Sequence, residues 1–120
     1  MENEGVIKRY YFKGKDYFCS LELVMDMIGG KWKPIVLFHL KNGTMRSGEL
    51  QRSLKGIANK MFTQTVRELE QTGLVKRIVY PTVPPKVEYM LTPMGESVIP
   101  IIESLNNWGK RISDNSTQQK

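Results

Sequence analysis

The chain has 120 residues, with 18 Lys+Arg against 12 Asp+Glu, a formal charge of +6 and a pI near 9.5. One core is expected at that length, and the cationic balance favours a polyanionic partner. A single cysteine, Cys19, and a single histidine, His39, exclude an intramolecular disulfide and a Cys-rich structural metal site, and no cofactor is implied. No run of 18 apolar residues occurs and the first residues lack the apolar centre of a signal peptide, so the expected location is the cytoplasm, with no membrane partner.

In chain order, residues 1–17 form an arm without a clear period, dense in aromatics at Tyr10, Tyr11, Phe12 and Tyr17. Ser20 is a candidate N-cap for a short helix that stops at Gly29-Gly30. A second helix follows from Lys31 to Lys41, tolerating Pro34 in its first turn, and Asn42-Gly43 closes it. Thr44 to Arg46 has the length of a bridge strand. Ser47 is then expected to cap a helix through Leu54, and after Lys55-Gly56 the longest amphipathic helix runs from Asn59 to Thr72, ended by Gly73. From Leu74 to Leu91 the period falls to two, and PTVPP at Pro81–Pro85 joins two strands. The fold class expected is mainly α with a small β-hairpin, a winged helix-turn-helix. It divides into an arm (1–17), a winged domain (18–91), a C-terminal dimerisation helix (92–113) and a disordered polar tail (114–120).

The Asn59–Thr72 helix carries the functional argument. At 100° per residue, Val66 and Leu69 lie within about 40° of Phe62, while Lys60, Thr63, Gln64, Arg67 and Gln71 gather opposite, with Glu68 and Glu70 toward the flanks. Lys and Arg suit phosphate or guanine, and Gln and Thr suit base edges, the mixture that direct readout of double-stranded DNA requires. A merely solvated face is the plain alternative for this helix alone. Lys76, Arg77 and Lys86 flank a hairpin stiffened by three prolines, which adds a rigid cationic wing for sugar-phosphate. Arg46 and Asn59 complete the candidate DNA-binding set. No phosphate-cradling Gly-rich motif and no nucleophile with a matched base occurs, which argues against an enzyme. The competing class is a winged helix used for protein contact or RNA binding, without a sensing role; protein contact would favour an apolar patch in place of Lys60, Gln64 and Arg67.

From Met94, apolar residues recur at Val98, Ile101, Leu105, Trp108 and Ile112 in steps of four and three, a coiled-coil seam. With Tyr11, Phe12 and Phe18 of the arm region they form the expected homodimer interface, although the stripe also suits the chain's own core and Pro100 is expected to bend the helix. Cys19 has two readings, a small buried hydrophobe or a sensor whose place just before Ser20 lets helix-start amides favour the thiolate, with Lys13 and Lys15 adding to the effect. His39 reads as a hydrogen-bonded helix residue, and Met25, Met27, Met45, Met61, Met90 and Met94 as core filler.

Four segments carry a resemblance: IGGKW at Ile28–Trp32, GELQRSLKGIANKM, FTQTVRELEQTGLVKR, and VEYMLTPMGE at Val87–Glu96. Together they resemble the HxlR-type winged-helix transcriptional regulators, a bacterial group related to the MarR regulators, over Cys19 to Ile112. The resemblance implies a dimeric, sequence-specific regulator of a pseudo-palindromic operator, with Lys60 to Arg67 on the reading helix and Pro81–Pro85 as the wing. It also implies a sensing role for Cys19, because many such regulators use a cysteine here against oxidants or quinones. With one cysteine per chain, the chemistry is an intersubunit disulfide, a mixed disulfide with a small thiol, or alkylation. Two departures stand out. Ala58 replaces the usual Ser, losing an N-cap worth about 1 kcal/mol unless Asn59 takes over, and Ser47-Gly48-Glu49-Leu50 replaces the usual Phe-x-Glu-Leu.

Overall fold

The computed structural model describes residues 9–113; the first eight residues of the arm and the tail at 114–120 lie outside the described residues. The elements are β1 (Tyr10–Phe12), β2 (Lys15–Tyr17), α1 (Ser20–Ile28), α2 (Trp32–His39), β3 (Met45–Arg46), α3 (Ser47–Ser53), α4 (Asn59–Gln71), β4 (Val75–Tyr80), β5 (Lys86–Leu91) and α5 (Pro93–Ile112). This is the α+β winged helix-turn-helix that the period changes imply. No helix among the described residues is long and apolar enough to cross a membrane.

The arm contains a hairpin that its sequence does not announce. Lys13 (φ 48°) and Gly14 (φ 81°) both take left-handed backbone, as a two-residue hairpin turn requires, but lysine at the first of these positions hides the usual Asn-Gly signal. Strand β1 pairs antiparallel with β2, Tyr10 opposite Tyr17. Tyr17 is buried and donates its hydroxyl to Asp26 Oδ2 at 2.7 Å, while Lys15 Nζ reaches the same oxygen at 3.3 Å, so the hairpin is fastened to α1. The Tyr17 phenol is pushed up to about 12, chiefly by that hydrogen bond, and the Asp26 carboxyl is held below the usual range by the same bond and by Lys15.

Two expected caps shift by one residue. Cys19, not Ser20, is the N-cap of α1, its extended backbone placing its carbonyl to accept from Glu22 and Leu23. Arg46, not Ser47, precedes α3; the Glu49 carboxylate accepts from the Arg46 amide at 3.2 Å, half of a capping box, and a guanidinium has no acceptor to complete the other half. Ala58, the N-cap of α4, offers no side-chain cap, and Asn59 does not substitute, because its Oδ1 accepts from Gln51 Nε2.

The core joins Val36, Leu37 and Leu40 of α2, Leu50 of α3, Leu54 just beyond it, and Phe62, Val66 and Leu69 of α4 with Leu74, Val75, Tyr89, Leu91 and Ile102. Phe62 meets Tyr89 edge to face at 6.3 Å, fixing α4 against β5. The sheet order is β3-β5-β4, with Val75 opposite Leu91 and Tyr80 opposite Lys86, so the long β4–β5 ribbon projects as the wing. Its base is locked to α5. Thr92 Oγ1 donates to the Gly73 carbonyl at 2.6 Å and accepts from Gly95 N, and Gly95 approaches so closely that a Cβ there would lie 2.1 Å from the Leu74 carbonyl oxygen.

Helix α5 runs unbroken past Pro100, and its apolar stripe divides. Val98, Ile99 and Ile102 pack on the core, whereas Ile101, Leu105, Trp108 and Ile112 are each more than half exposed. His39 is hydrogen-bonded as expected, its Nδ1 lying 2.8 Å from Ser53 Oγ. The methionines separate: Met27 and Met45 pack on the core, but Met25 and Met61 on the outward faces of α1 and α4, and Met94 in the first turn of α5, are exposed and are not filler.

Candidate nucleic-acid interface

Helix α4 leaves the chain's surface along one edge of an open cleft of about 1070 Å³, bounded opposite by the wing and at its end by α3. Thr63, Arg67 and Glu70 line it from α4, Arg77 and Lys86 from the ribbon, and Arg46, Glu49 and Arg52 from the β3–α3 corner. Five cations face two carboxylates. Strand alternation explains why Arg77 enters the cleft while its neighbour Lys76 does not.

The state of these cations separates them. Among the described residues, ion pairs engage Arg9, Lys15, Lys33, Lys41 and Lys86, but none engages Arg46, Arg52, Arg67 or Arg77. Lys86 differs from its expected role as an open wing contact: its Nζ lies 3.5 Å from Glu88 Oε2 and 4.7 Å from the centre of the Tyr80 ring. The Tyr80 hydroxyl donates to the same carboxylate at 3.0 Å, which pushes the phenol up. The free positive charge of the cleft is therefore guanidinium.

The remaining sequence candidates lie around this cleft. Lys60 and Gln64 are exposed on the outer crest of α4, and Gln64 Nε2 donates to Glu68 Oε2 at 3.1 Å. Gln71 sits apart, bordering a smaller recess shared with Phe12, Tyr17 and Asp26. Asn59 is occupied by Gln51. Of the two α4 carboxylates, Glu68 lies at the flank toward α2, whereas Glu70 enters the cleft beside Arg67.

Sequence reasoning missed Arg52. It comes from the exposed face of α3 and lines the cleft, and a Cβ at residue 48 would lie 3.2 Å from its Nη1, so the guanidinium lies close over Gly48. The signal available was the small Gly48 four residues before an arginine, one helical turn away. Also missed were Leu21, Val24 and Met25, exposed on one face of α1 at helical spacing. Of the expected interface residues, Tyr11 and Phe18 are exposed, Phe12 is half-buried with Lys13 Nζ 5.7 Å from its ring, and Val98 faces the core. Cys19 is exposed, unlike the buried hydrophobe that the plainer reading expects.

The model of the HxlR-like helix-turn-helix family matches residues 27–117. An HTH-type transcriptional regulator of Methanothermobacter thermautotrophicus is 53% identical over 95 residues, 79% of this chain and 72% of that one. Among solved structures, the oxidised form of the redox regulator HypR superposes with a TM-score of 0.76 at 43% identity, covering 81% of this chain and all of that one. A MarR-family regulator from Porphyromonas gingivalis W83 gives 0.78 at 39% identity, covering 84% of this chain and 99% of that one. The chain belongs to the HxlR-like helix-turn-helix family and is a transcriptional regulator built on a helix-turn-helix DNA-binding fold.

Proposed function

We propose that the protein binds a pseudo-palindromic duplex as a homodimer, each subunit setting α4 in a major groove and its wing along the backbone. The observation that carries this reading is the set of four arginines, Arg46, Arg52, Arg67 and Arg77, converging on one cleft without an ion pair among the described residues. Guanidinium groups left unneutralised contribute counterion release on phosphate and bidentate contacts to guanine. Two apolar stripes support the dimer: Ile101, Leu105, Trp108 and Ile112 on α5, and Leu21, Val24 and Met25 on α1. Exposed apolar side chains at helical spacing are what a second chain would cover. Two reading helices related by a two-fold axis meet half-sites about 34 Å apart. Selection of genomic DNA fragments by the purified protein tests the reading; it expects inverted half-sites about 10 base pairs apart, and recovery of no motif contradicts it.

Cys19 is the second part of the proposal. Its thiol is exposed at the N-cap of α1, and the structurally similar HypR is described as a redox regulator in oxidised and reduced forms. An oxidant, which oxidises Cys19 and lets a small thiol displace water from the sulfenic acid to leave a mixed disulfide, or a quinone that alkylates the thiol, would act beside the exposed α1 stripe and alter the spacing of the two reading helices. Oxidant treatment is expected to change operator affinity in the native protein and to leave Cys19→Ser unchanged; an equal response in both would assign the signal elsewhere.

A further inference from the structure

Gln64 is an exposed side chain on the crest of α4, and a glutamine amide is by itself an ambiguous reader. Rotation about its last torsion exchanges oxygen for nitrogen at little cost, so a free amide can offer an acceptor and a donor to adenine, or two donors to guanine. Here the exchange is blocked. Gln64 Nε2 donates to Glu68 Oε2 at 3.1 Å, and a reversed amide would set its oxygen against that carboxylate.

The carboxylate is itself held. Glu68 Oε1 pairs with Lys33 Nζ at 3.1 Å, and Lys33, whose side chain is only 18% exposed, also donates to the Asp26 carbonyl in the last turn of α1 at 3.4 Å. A chain of contacts thus runs from the end of α1 through Lys33 to both oxygens of Glu68 and on to Gln64. The Glu68 carboxyl is held below the usual range by the Gln64 and Lys33 hydrogen bonds, so it is an ionised acceptor at neutral pH and the bond to Gln64 is charge-assisted.

We propose that Glu68, braced by Lys33, is a positioning residue that fixes the amide of Gln64 so that it reads adenine and rejects guanine at one base pair of each half-site. With one N–H committed to Glu68, Gln64 still offers its Oε1 and its second N–H. That pair matches the N6 donor and N7 acceptor of adenine. Against guanine the fixed Oε1 faces two acceptors, O6 and N7, and the amide cannot turn to donate twice. The inference rests on the proposed DNA reading and adds which base Gln64 selects and what enforces it.

Selection from a randomised duplex library, with the full-length protein and its variants, tests it through the adenine-to-guanine ratio at each position. A ratio measured within one variant does not depend on how much of the preparation is active. Wild type is expected to favour adenine about tenfold or more at one position per half-site, within the range of a good bidentate contact. Gln64→Ala removes that preference. Glu68→Ala lowers it severalfold at the same position and spares the others, Lys33→Met acts in the same direction, and Glu68→Gln, which keeps an acceptor for Gln64, restores part of it. If wild type selects a motif but Glu68→Ala and Lys33→Met leave the adenine preference intact, or if Gln64→Ala alters no position, the inference is overturned while DNA reading stands. If wild type selects no sequence, both fall.

Discussion

Gly95 shows how little room the wing's foundation has. A methyl there would lie 2.1 Å from the Leu74 carbonyl oxygen, a backbone atom held by its hydrogen bond from the Thr92 amide, so the closest neighbour is not a flexible side chain that can yield. Gly95→Ala should destabilise the fold by about 1–3 kcal/mol or more, read from urea denaturation, and an unchanged midpoint would show that α5 can move off the sheet. The Tyr17–Asp26 bond makes a prediction in pH. Asp26 has a lowered folded value, so its contribution is full above the unfolded carboxyl range near 4 and is lost as pH falls below it. Tyr17 is raised, so its contribution is full below about 10 and is lost as pH rises through about 12. Tyr17→Phe should therefore lower the melting temperature at pH 7 and flatten its decline at both extremes, checked by calorimetry across pH; identical profiles for variant and wild type would mean that the bond contributes nothing. At this scale the sequence was partly legible. The periodicity placed Arg67 and Gln64 on the free face of α4, but it could not tell that Lys86 is engaged by Glu88 and Tyr80 while Arg77 is not, because the ribbon's register sets Tyr80 opposite Lys86 and Tyr80 in turn holds the Glu88 carboxylate.

Among the elements, the helices and the wing were legible to within a residue or two, since glycine stops and the change from helical to strand period mark their ends. The β1–β2 hairpin was not, because its turn uses lysine in left-handed backbone and its three-residue strands are too short to show alternation. The wing's unpaired charge makes an element-level prediction. Arg77→Ala should weaken binding to specific and random duplex alike and reduce the salt slope by about one, whereas Lys86→Ala, already paired with Glu88, should do less of both. Anisotropy titrations over a salt series check it, and a larger loss for Lys86 would show that DNA draws it away from Glu88. On α5, the seam read from the sequence mixed two functions. Val98 serves the core, while Ile101, Leu105, Trp108 and Ile112 face outward. Leu105→Asp should accordingly leave the monomer folded and shift sedimentation from dimer toward monomer at micromolar concentration; an unchanged dimer would move the interface away from α5.

For the whole molecule, the fold positions on one cleft four arginines without an ion pair among the described residues, with Gln64 on the crest of the helix beside it, and it leaves two apolar stripes exposed. The cationic cleft was legible because one helix and one hairpin carry most of it in sequence order. The α1 stripe and Arg52 were not, since whether the apolar residues of α1 face core or solvent, and whether α3 brings Arg52 to the ribbon, depend on how those helices pack. The most direct measurement is a pair of equilibrium titrations, with selected operator and with shuffled duplex at one salt concentration, for wild type and Arg67→Ala. Wild type should prefer the operator by about 10³-fold or more, and Arg67→Ala should lower that ratio by about 1–3 kcal/mol. Equal affinity of wild type for the two duplexes, or an unchanged ratio in Arg67→Ala, would contradict α4 as the reading helix.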